Sequence, residues 1–506
     1  MRIRLFAALS ILILASGCCR TRNVETWLVD PLAAVFPDDP AGSNTMREAT
    51  FAAARRSHVS VQLALRSSTG IGDLYVDALA LNGPGMPIDR IQVRRVEYVV
   101  ATTNTPNTHD GYQLRKAPAL FPDALLTSFP MTVEKNKTRA VWITIPIPAD
   151  QTPGRYNGVL VLRQGSEKVS EVPYSLDITK ATVPEELPID VALRLKWDDG
   201  HMQQFFRAPR FSNQWWIVAG NVARFLAPYH QTFIPAPPMD LVEVSVSGGA
   251  LRYDFSNYVR FVRTFETAGV RLALDGGQLL SHGTRKCDPP TLRIWTVEEG
   301  RAVERHVAAT DPRVQAFLES FYGSLRKVLA ANNWEQRYVQ GLLDSPSACE
   351  AGVCAQFERE IRRLLPAAGV AKDAGSGSYI DHPLVETRTL GWHAYQQGAR
   401  TRFRWEANRW SPDPFKDTQP AFESESGFPP PGGAHLTYPN RDGRTLFSSI
   451  RLEQLRESVE DYGLLVELGR RNPAKARELA LRAATPGPAR DLAAFRFVLR
   501  ELLNAF

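Results

Sequence analysis

The run Tyr338-Val339-Gln340-Gly341-Leu342-Leu343-Asp344 decides how this chain folds. It reads as a short buried strand that stops on a carboxylate, and a helix-sized segment lies just before it. That segment opens at Asp311-Pro312, with proline suited to a first helical turn, and sets Val314, Phe317, Leu318, Phe321, Leu325 and Val328 on one face. The alternation repeats upstream. Val270-Arg271-Leu272-Ala273-Leu274 reads as a buried strand behind a helix that Asp254 caps, that turns Phe255, Val259, Val262 and Phe265 inward, and that Gly269 stops. Trp215 to Leu226 reads as a helix, and Val191 to Trp197 as a strand. Strands alternating with helices imply parallel β/α architecture, and in a barrel of that kind chemistry sits at the C-terminal strand ends. The carboxylates at those ends are Asp198, Asp275, Asp344 and Glu406. Most acids in such places are caps or loop anchors, so the rule selects candidates only.

Before the proline-stiffened connector Thr182-Val183-Pro184-Glu185-Glu186-Leu187-Pro188 the period changes to two. His58 to Leu65 alternates, as does Arg139 to Ile147, and Val159-Leu160-Val161-Leu162 is a buried-strand run, with turns at Pro153-Gly154 and Gly165-Ser166. An antiparallel β-sandwich follows, without a catalytic cluster. At the other end, the segment from about Asn472 is helical with one apolar face and is expected to pack on the barrel.

The chain has 506 residues, 44% hydrophobic and 23% charged, enough for two or three buried cores. The formal charge of +6 is dispersed among acids, which argues against nucleic-acid binding and fits a mildly basic face near anionic lipid or acidic glycan. Arg2 and Arg4 precede an apolar run from Leu5 to Leu14 that is too short to span a bilayer. Ala15-Ser16-Gly17-Cys18 then resembles a bacterial lipoprotein cleavage box, with Cys18 as the lipidated residue and membrane anchor. Cys19, where Asp would favour inner-membrane retention, points to the outer membrane, on its periplasmic or cell-surface face. An ordinary secretory signal is the alternative. In an oxidising compartment Cys349 and Cys354 are close enough to close a small loop disulfide, and no histidines stand at metal-ligand spacing from them. The expected organisation is a signal peptide with lipidation box over 1–18, a tether over 19–50, the sandwich over 51–184, a barrel over 189–470 and a helical segment over 471–506.

Two stretches go beyond pattern. One runs from Trp334-Glu335-Gln336-Arg337-Tyr338 through Asp344-Ser345-Pro346. The other runs from Tyr379-Ile380-Asp381-His382-Pro383-Leu384 through Gly391-Trp392-His393-Ala394-Tyr395, Phe403-Arg404-Trp405-Glu406-Ala407-Asn408-Arg409-Trp410 and Ser411-Pro412-Asp413-Pro414-Phe415. Leu436-Thr437-Tyr438-Pro439, Ser449-Ile450-Arg451-Leu452-Glu453 and Glu460-Asp461-Tyr462 follow. The ordered series resembles glycoside hydrolase family 123 and its uncharacterised relatives.

That resemblance implies a β-sandwich before a (β/α)8-like barrel, and a retaining β-N-acetylgalactosaminidase whose substrate supplies its own nucleophile, the 2-acetamido oxygen. Such chemistry needs one carboxylate to orient the acetamido group and a protonated neighbour to donate to the leaving oxygen. The family carries Asp-Glu-Pro there. This chain has Asp344-Ser345-Pro346, so the orienting Asp344 is matched and the acid position holds Ser345, which cannot act as a general acid near neutral pH. Between Pro346 and Tyr379 there is room for about one β/α unit where several are expected, so the barrel is expected to be incomplete. Glu406 is the candidate substitute acid, with Glu350 behind it; both also read as solvated charges. Trp405, Asn408 and Trp410 are candidate sugar contacts, with packing as the alternative; Trp392 and Tyr395 read as packing, and Trp197 is open. Two functions result: a hydrolase of N-acetylhexosamine glycans with an impaired acid, or a noncatalytic surface lipoprotein that binds glycan. No cofactor or metal is implied.

Overall fold

The computed structural model describes residues 24–108, 112–285, 287–344, 346–370, 377–398, 402–419, 429–484 and 492–506. Cys18, Cys19, the leader and Ser345 lie outside the described residues. The first unit is built from β1 (Val24–Val29), β2 (Thr50–Arg55), β3 (His58–Ser67), β4 (Ile71–Ala78) and β5 (Gln92–Ala101). To these it adds β6 (Ala119–Leu126), β7 (Met131–Val133), β8 (Lys137–Pro146), β9 (Gly154–Gln164) and β10 (Glu167–Thr182). One sheet runs β1-β3-β8-β5-β6 and the other β2-β10-β9-β4-β7, antiparallel except for β2 beside β10. Period two explains β3: Val61, Leu63 and Leu65 enter the core between the sheets with Ile143, Leu160 and Leu176. The opposite face is also covered. Ala64 packs with Leu465 and Leu502, and Ser60 donates to Glu457 at 2.5 Å, both from the C-terminal helices.

The expected tether is corrected over its described part. Val24 to Val29 pairs with β3, Trp27 opposite Ala64, and Val29, Leu32 and Val35 are buried. The apolar content of this segment makes it an edge strand of the sandwich.

The second unit opens with β11 (Asp190–Arg194), α1 (Asp199–Phe206), α2 (Asn213–Leu226), β12 (Phe233–Pro235) and the short α3 (Pro238–Leu241). A hairpin, β13 (Glu243–Ser247) and β14 (Ala250–Asp254), leads into α4 (Ser256–Thr267) and β15 (Ala273–Gln278). A second hairpin, β16 (Thr291–Glu298) and β17 (Arg301–Ala308), leads into α5 (Arg313–Ala331) and β18 (Tyr338–Gly341). Then come α6 (Ala351–Leu364), β19 (Gly369–Val370), α7 (Leu384–Arg388), α8 (Leu390–Gln396) and β20 (Arg402–Glu406). The strand expected from Val270 starts at Ala273, because the Val270 N–H turns back to Phe265 O to close α4. Parallel pairing runs β20-β11 and β12-β15-β18-β19. Thr232 and Gln231 bridge the two groups: Thr232 N donates to Val191 O at 3.0 Å and Leu193 N to Gln231 Oε1 at 2.8 Å. Six parallel strands occur among the described residues, short of an eight-strand barrel.

The halves are interlocked. β21 (Tyr438–Pro439) and β22 (Leu446–Ser449) extend the first sheet beside β6, and the chain then enters α9 (Ile450–Arg471), capped by Ser449 Oγ. Through most of its length α9 is buried on every side, charged residues included. Arg451 forks onto Asp123 of β6 at 2.9 and 3.0 Å, and Tyr438 donates to the same carboxylate. Glu453 accepts from Arg94 and Thr144 of the sandwich and from Tyr229 and Ser448 of the second unit. Arg388 of α7 pairs with Glu457 and, in two parallel bonds, with Asp461. α8 lies so close that a Cβ on Gly391 would meet Ser458 O at 2.1 Å, and only glycine fits there.

α10 (Pro473–Ala484) packs on α8 and α9, while α11 (Leu492–Leu503) crosses to the sandwich. Phe495, Val498 and Leu502 join Trp27, Ala54 and Trp142, and Arg496 forks onto Asp30. The expected docking on the barrel domain holds for α10, which lies on α8 and α9, while α11 adds a contact to the outer face of the sandwich.

Removing one partner of a buried ion pair strands the other. Arg451→Met should therefore lower stability by about 3–5 kcal/mol in urea unfolding, and Glu467→Gln, in pairs with the exposed Arg470 and Arg471, by less than about 1 kcal/mol. Burial alone raises a carboxyl, yet Arg456 and Arg94 hold Glu453 well below the ordinary range. Its contribution is then complete above the unfolded value of about 4.3 and is lost as pH falls through the folded one. The fall in stability between pH 6 and pH 3 should be steeper for the wild type than for Glu453→Gln, and equal slopes would refute the assignment.

Candidate active site

Register decides what faces the cleft at the C-terminal strand ends. In β11 and β20, Leu193 stands opposite Trp405 and Arg194 opposite Glu406, so Arg194 and Glu406 point one way and Trp405 the other. Arg194 Nη1 lies 3.5 Å from Glu406 and Nε 3.3 Å from Asp275 of β15, a buried cation between two carboxylates. Asp275 also accepts from Gly277 N at 3.0 Å. Gly277 has φ +73, and a Cβ there would meet Pro237 at 2.9 Å, so glycine is required where β15 passes the loop after β12. Below them Gln340 of β18 accepts from the hydroxyls of Tyr322 and Tyr338 and donates to Gly277 O and Gly341 O. Burial pushes both phenols well up, so they remain donors. The resulting cleft, about 860 Å³ with its mouth, also receives Lys196, Gln278 and Arg409.

The other strand-end acids are elsewhere. Asp198 caps α1 by accepting from His201 N at 3.1 Å, and although burial opposes it, this bond and Lys196 hold its carboxyl low. Asp344 is exposed on the loop after β18 and does not line the cleft. Its carbonyl accepts from His282 Nε2 at 2.9 Å, His282 Nδ1 meets Glu350 at 2.8 Å, and Glu350 accepts from Ser347 N and Oγ. Burial would raise Glu350, but the Ser347 and His282 bonds hold it below the ordinary range. Glu350 is thus a buried loop anchor and not a solvated charge.

The aromatic platform expected from Trp405, Asn408 and Trp410 is not formed. Trp197, Trp405 and Trp410 are 3%, 6% and 8% exposed. Trp197 lies against Trp215 of α2 and Phe261 of α4, in the layer between strands and helices. Trp410 stacks on His201 at 5.0 Å and donates to Thr437 O. Asn408 clamps the β11 end, accepting from Lys196 N at 2.7 Å and donating to Lys196 O. A strand-end aromatic faces the lumen or the helices according to its parity, and these take the helix side. Trp392 is packed as expected, its indole N–H on Asp461. The cleft-lining residues that were missed include Arg194, Lys196, Gln278 and Gln340. Arg194 had a signal, a lone cation inside the apolar run Val191-Ala192-Leu193-Arg194-Leu195.

The expected Cys349–Cys354 bridge is also corrected. Cys349 bonds Cys287 of the loop after β15, with Cα atoms 5.4 Å apart, and ties that loop to the one bearing Asp344. Cys354 is in the first turn of α6, where its N–H donates to Glu350 O at 2.9 Å; a bond to Cys349 would unwind that turn. Under denaturing, non-reducing conditions a maleimide should label Cys354 and leave Cys287 and Cys349 unmodified. A peptide map joining Cys349 to Cys354 would refute this.

The glycoside hydrolase 123 catalytic domain profile matches residues 216–379 and 372–468, and the profile of the family's N-terminal domain matches residues 38–164. No curated protein sequence matches the chain. Among solved structures, a family 123 glycoside hydrolase from Clostridium perfringens, described in terms of glycolipid glycan hydrolysis, superposes with a TM-score of 0.67 at 13% identity over 96% of both chains. A family 39 glycoside hydrolase from Bacteroides cellulosilyticus reaches a TM-score of only 0.23 at 9% identity, over 68% of this chain and 52% of its own. With both domains matched in order and the whole fold superposed, this chain belongs to glycoside hydrolase family 123.

Proposed function

We propose that this chain hydrolyses terminal β-linked N-acetylhexosamine, with N-acetylgalactosamine as the preferred sugar, by the substrate-assisted retaining route. Asp344 orients the acetamido group, and leaving-group protonation is impaired because Ser345 occupies the acid position. The observation that supports sugar binding is the polar cleft at the strand ends, about 860 Å³ with its mouth, where Arg194, Asp275, Gln340 and Glu406 converge. Asp344 stands outside it, and its role rests on its match to the family's Asp-Glu-Pro position. The loop of Asp344 follows β18, the strand that supplies Gln340. His282, Glu350 and the Cys287–Cys349 bond hold that loop from below.

Glu406 enters the cleft as the ion-pair partner of Arg194. Its contact with Arg194 holds that guanidinium beside Asp275, and we assign Glu406 to positioning. The reading as a noncatalytic glycan binder is weakened by the same geometry, since the aromatic faces it required are buried. Export and lipidation at Cys18, with the catalytic unit tethered to the outer membrane, complete the proposal. The glycolipid context of the Clostridium perfringens relative suits an enzyme working near a lipid surface.

Without a proton donor the rate depends on the leaving group. The chain should cleave 4-nitrophenyl β-N-acetylgalactosaminide and leave an unactivated N-acetylgalactosamine disaccharide nearly untouched. Asp344→Asn should abolish aryl-glycoside turnover, and Ser345→Glu should raise disaccharide turnover by roughly 10²–10⁴-fold. Turnover that survives Asp344→Asn would refute the mechanism.

A further inference from the structure

Far from the cleft, three side chains from three parts of the fold meet at one point. His58 starts β3 of the sandwich, His230 occupies a left-handed turn (φ 56) just before β12, and Glu460 is on α9. His58 Nδ1 is 2.6 Å and His230 Nε2 3.0 Å from the same oxygen, Glu460 Oε1. One ligand atom from each residue lies within 4.8 Å of the others. The other Glu460 oxygen accepts from His58 N at 2.9 Å.

Charge distinguishes this carboxylate from its neighbours. Of the buried acids on α9, Glu453 faces Arg94 and Arg456, while Glu457 and Asp461 share Arg388. Glu460 has no arginine or lysine within ion-pair distance among the described residues; its partners are the two imidazoles. A buried carboxylate requires a compensating positive charge, and two neutral imidazoles with one carboxylate form a ligand set that binds a divalent transition ion. A pocket open to solvent, about 700 Å³ counted with its mouth and lined by His58, Ser57, Ser60 and Glu460, adjoins the cluster and gives water access to an open coordination position.

We propose that His58, His230 and Glu460 bind a zinc ion that joins the sandwich, the parallel-strand unit and α9. In a tetrahedral zinc site with bonds of about 2.0–2.2 Å, ligand atoms stand about 3.3 Å apart. The His230–Glu460 contact needs to open by about 0.3 Å and the His58–Glu460 contact by about 0.7 Å. The two imidazole nitrogens, within 4.8 Å of each other, adjust around the ion, and each ring's proton moves to its other nitrogen. A ligand set drawn from the sandwich, the parallel-strand unit and α9 gives the ion a structural role. The site is independent of the glycosidase reading.

The test uses the full chain without an affinity tag, stripped with a chelator and dialysed. Calorimetric titration with Zn²⁺ should show one equivalent bound, with a concentration-dependent rise in Tm, and Mg²⁺ should produce neither. His230→Gln, at a partly exposed position, should keep the circular dichroism spectrum and weaken zinc binding beyond the roughly 10–100-fold expected for an outer partner. Co²⁺ gives a readout that needs no variant: bound cobalt should show intense tetrahedral d–d absorption without a thiolate charge-transfer band, which excludes Cys354. Failure to bind zinc stoichiometrically, binding unchanged in a folded His230→Gln chain, or a thiolate band would each overturn the proposal.

Discussion

Much of this structure depends on the burial of a charged helix. α9 buries Arg451, Glu453, Arg456, Glu457, Glu460 and Asp461, and each charged group has to meet a partner in a fixed position. The partners come from both sides: Asp123, Arg94, Thr144 and Ser60 from the sandwich, Tyr229, His230 and Arg388 from the second unit. Pairs of this kind add little net stability over apolar packing, because desolvation offsets attraction. What they do impose is a single relative placement, since any slip leaves several charges unpaired at once. The cleft inherits that placement, because its floor strands are packed against the same assembly.

Much of the fold was legible. The helix from Arg313 to Ala331 follows the apolar face that runs from Val314 to Leu325, and β18 lies where its short run stops. The charged helix was not legible as a buried one, since charges on all faces describe a solvated helix unless the partners are known, and those are hundreds of positions away. The same distance hid His58 and His230, 402 and 230 positions from Glu460. The hairpins β13–β14 and β16–β17 were overlooked because a β/α reading expects helices between strands.

At the site, the strand-end rule reached Asp275, Asp344 and Glu406 but treated position along the strand as sufficient. Parity was the missing variable. Once Glu406 is assigned to the lumen, period two puts Trp405 outside and Arg194, its register partner's neighbour, inside. The cysteines teach a related lesson: Cys349 and Cys354 are near in sequence but separated by the start of α6, whereas the distant Cys287 is brought alongside by two adjacent strand-end loops. Of the residues quoted for the family resemblance, Gly391 and Asp461 seat α8 and α7 on α9, and Arg451 fastens α9 to the sandwich, so these three serve assembly.

The first sheet is completed by β22 and β21, residues 438–449, which follow nearly the whole second unit. During synthesis at about 5–20 residues per second the emerging sandwich waits tens of seconds with the edge of β6 unpaired and the Asp123 carboxylate without its guanidinium. An open edge of that kind invites pairing with another chain. The register at that edge is short, Ser448 opposite Leu125 and Ser449 opposite Ala124, so a fragment ending before β21 would lose both this pairing and the arginine that neutralises Asp123.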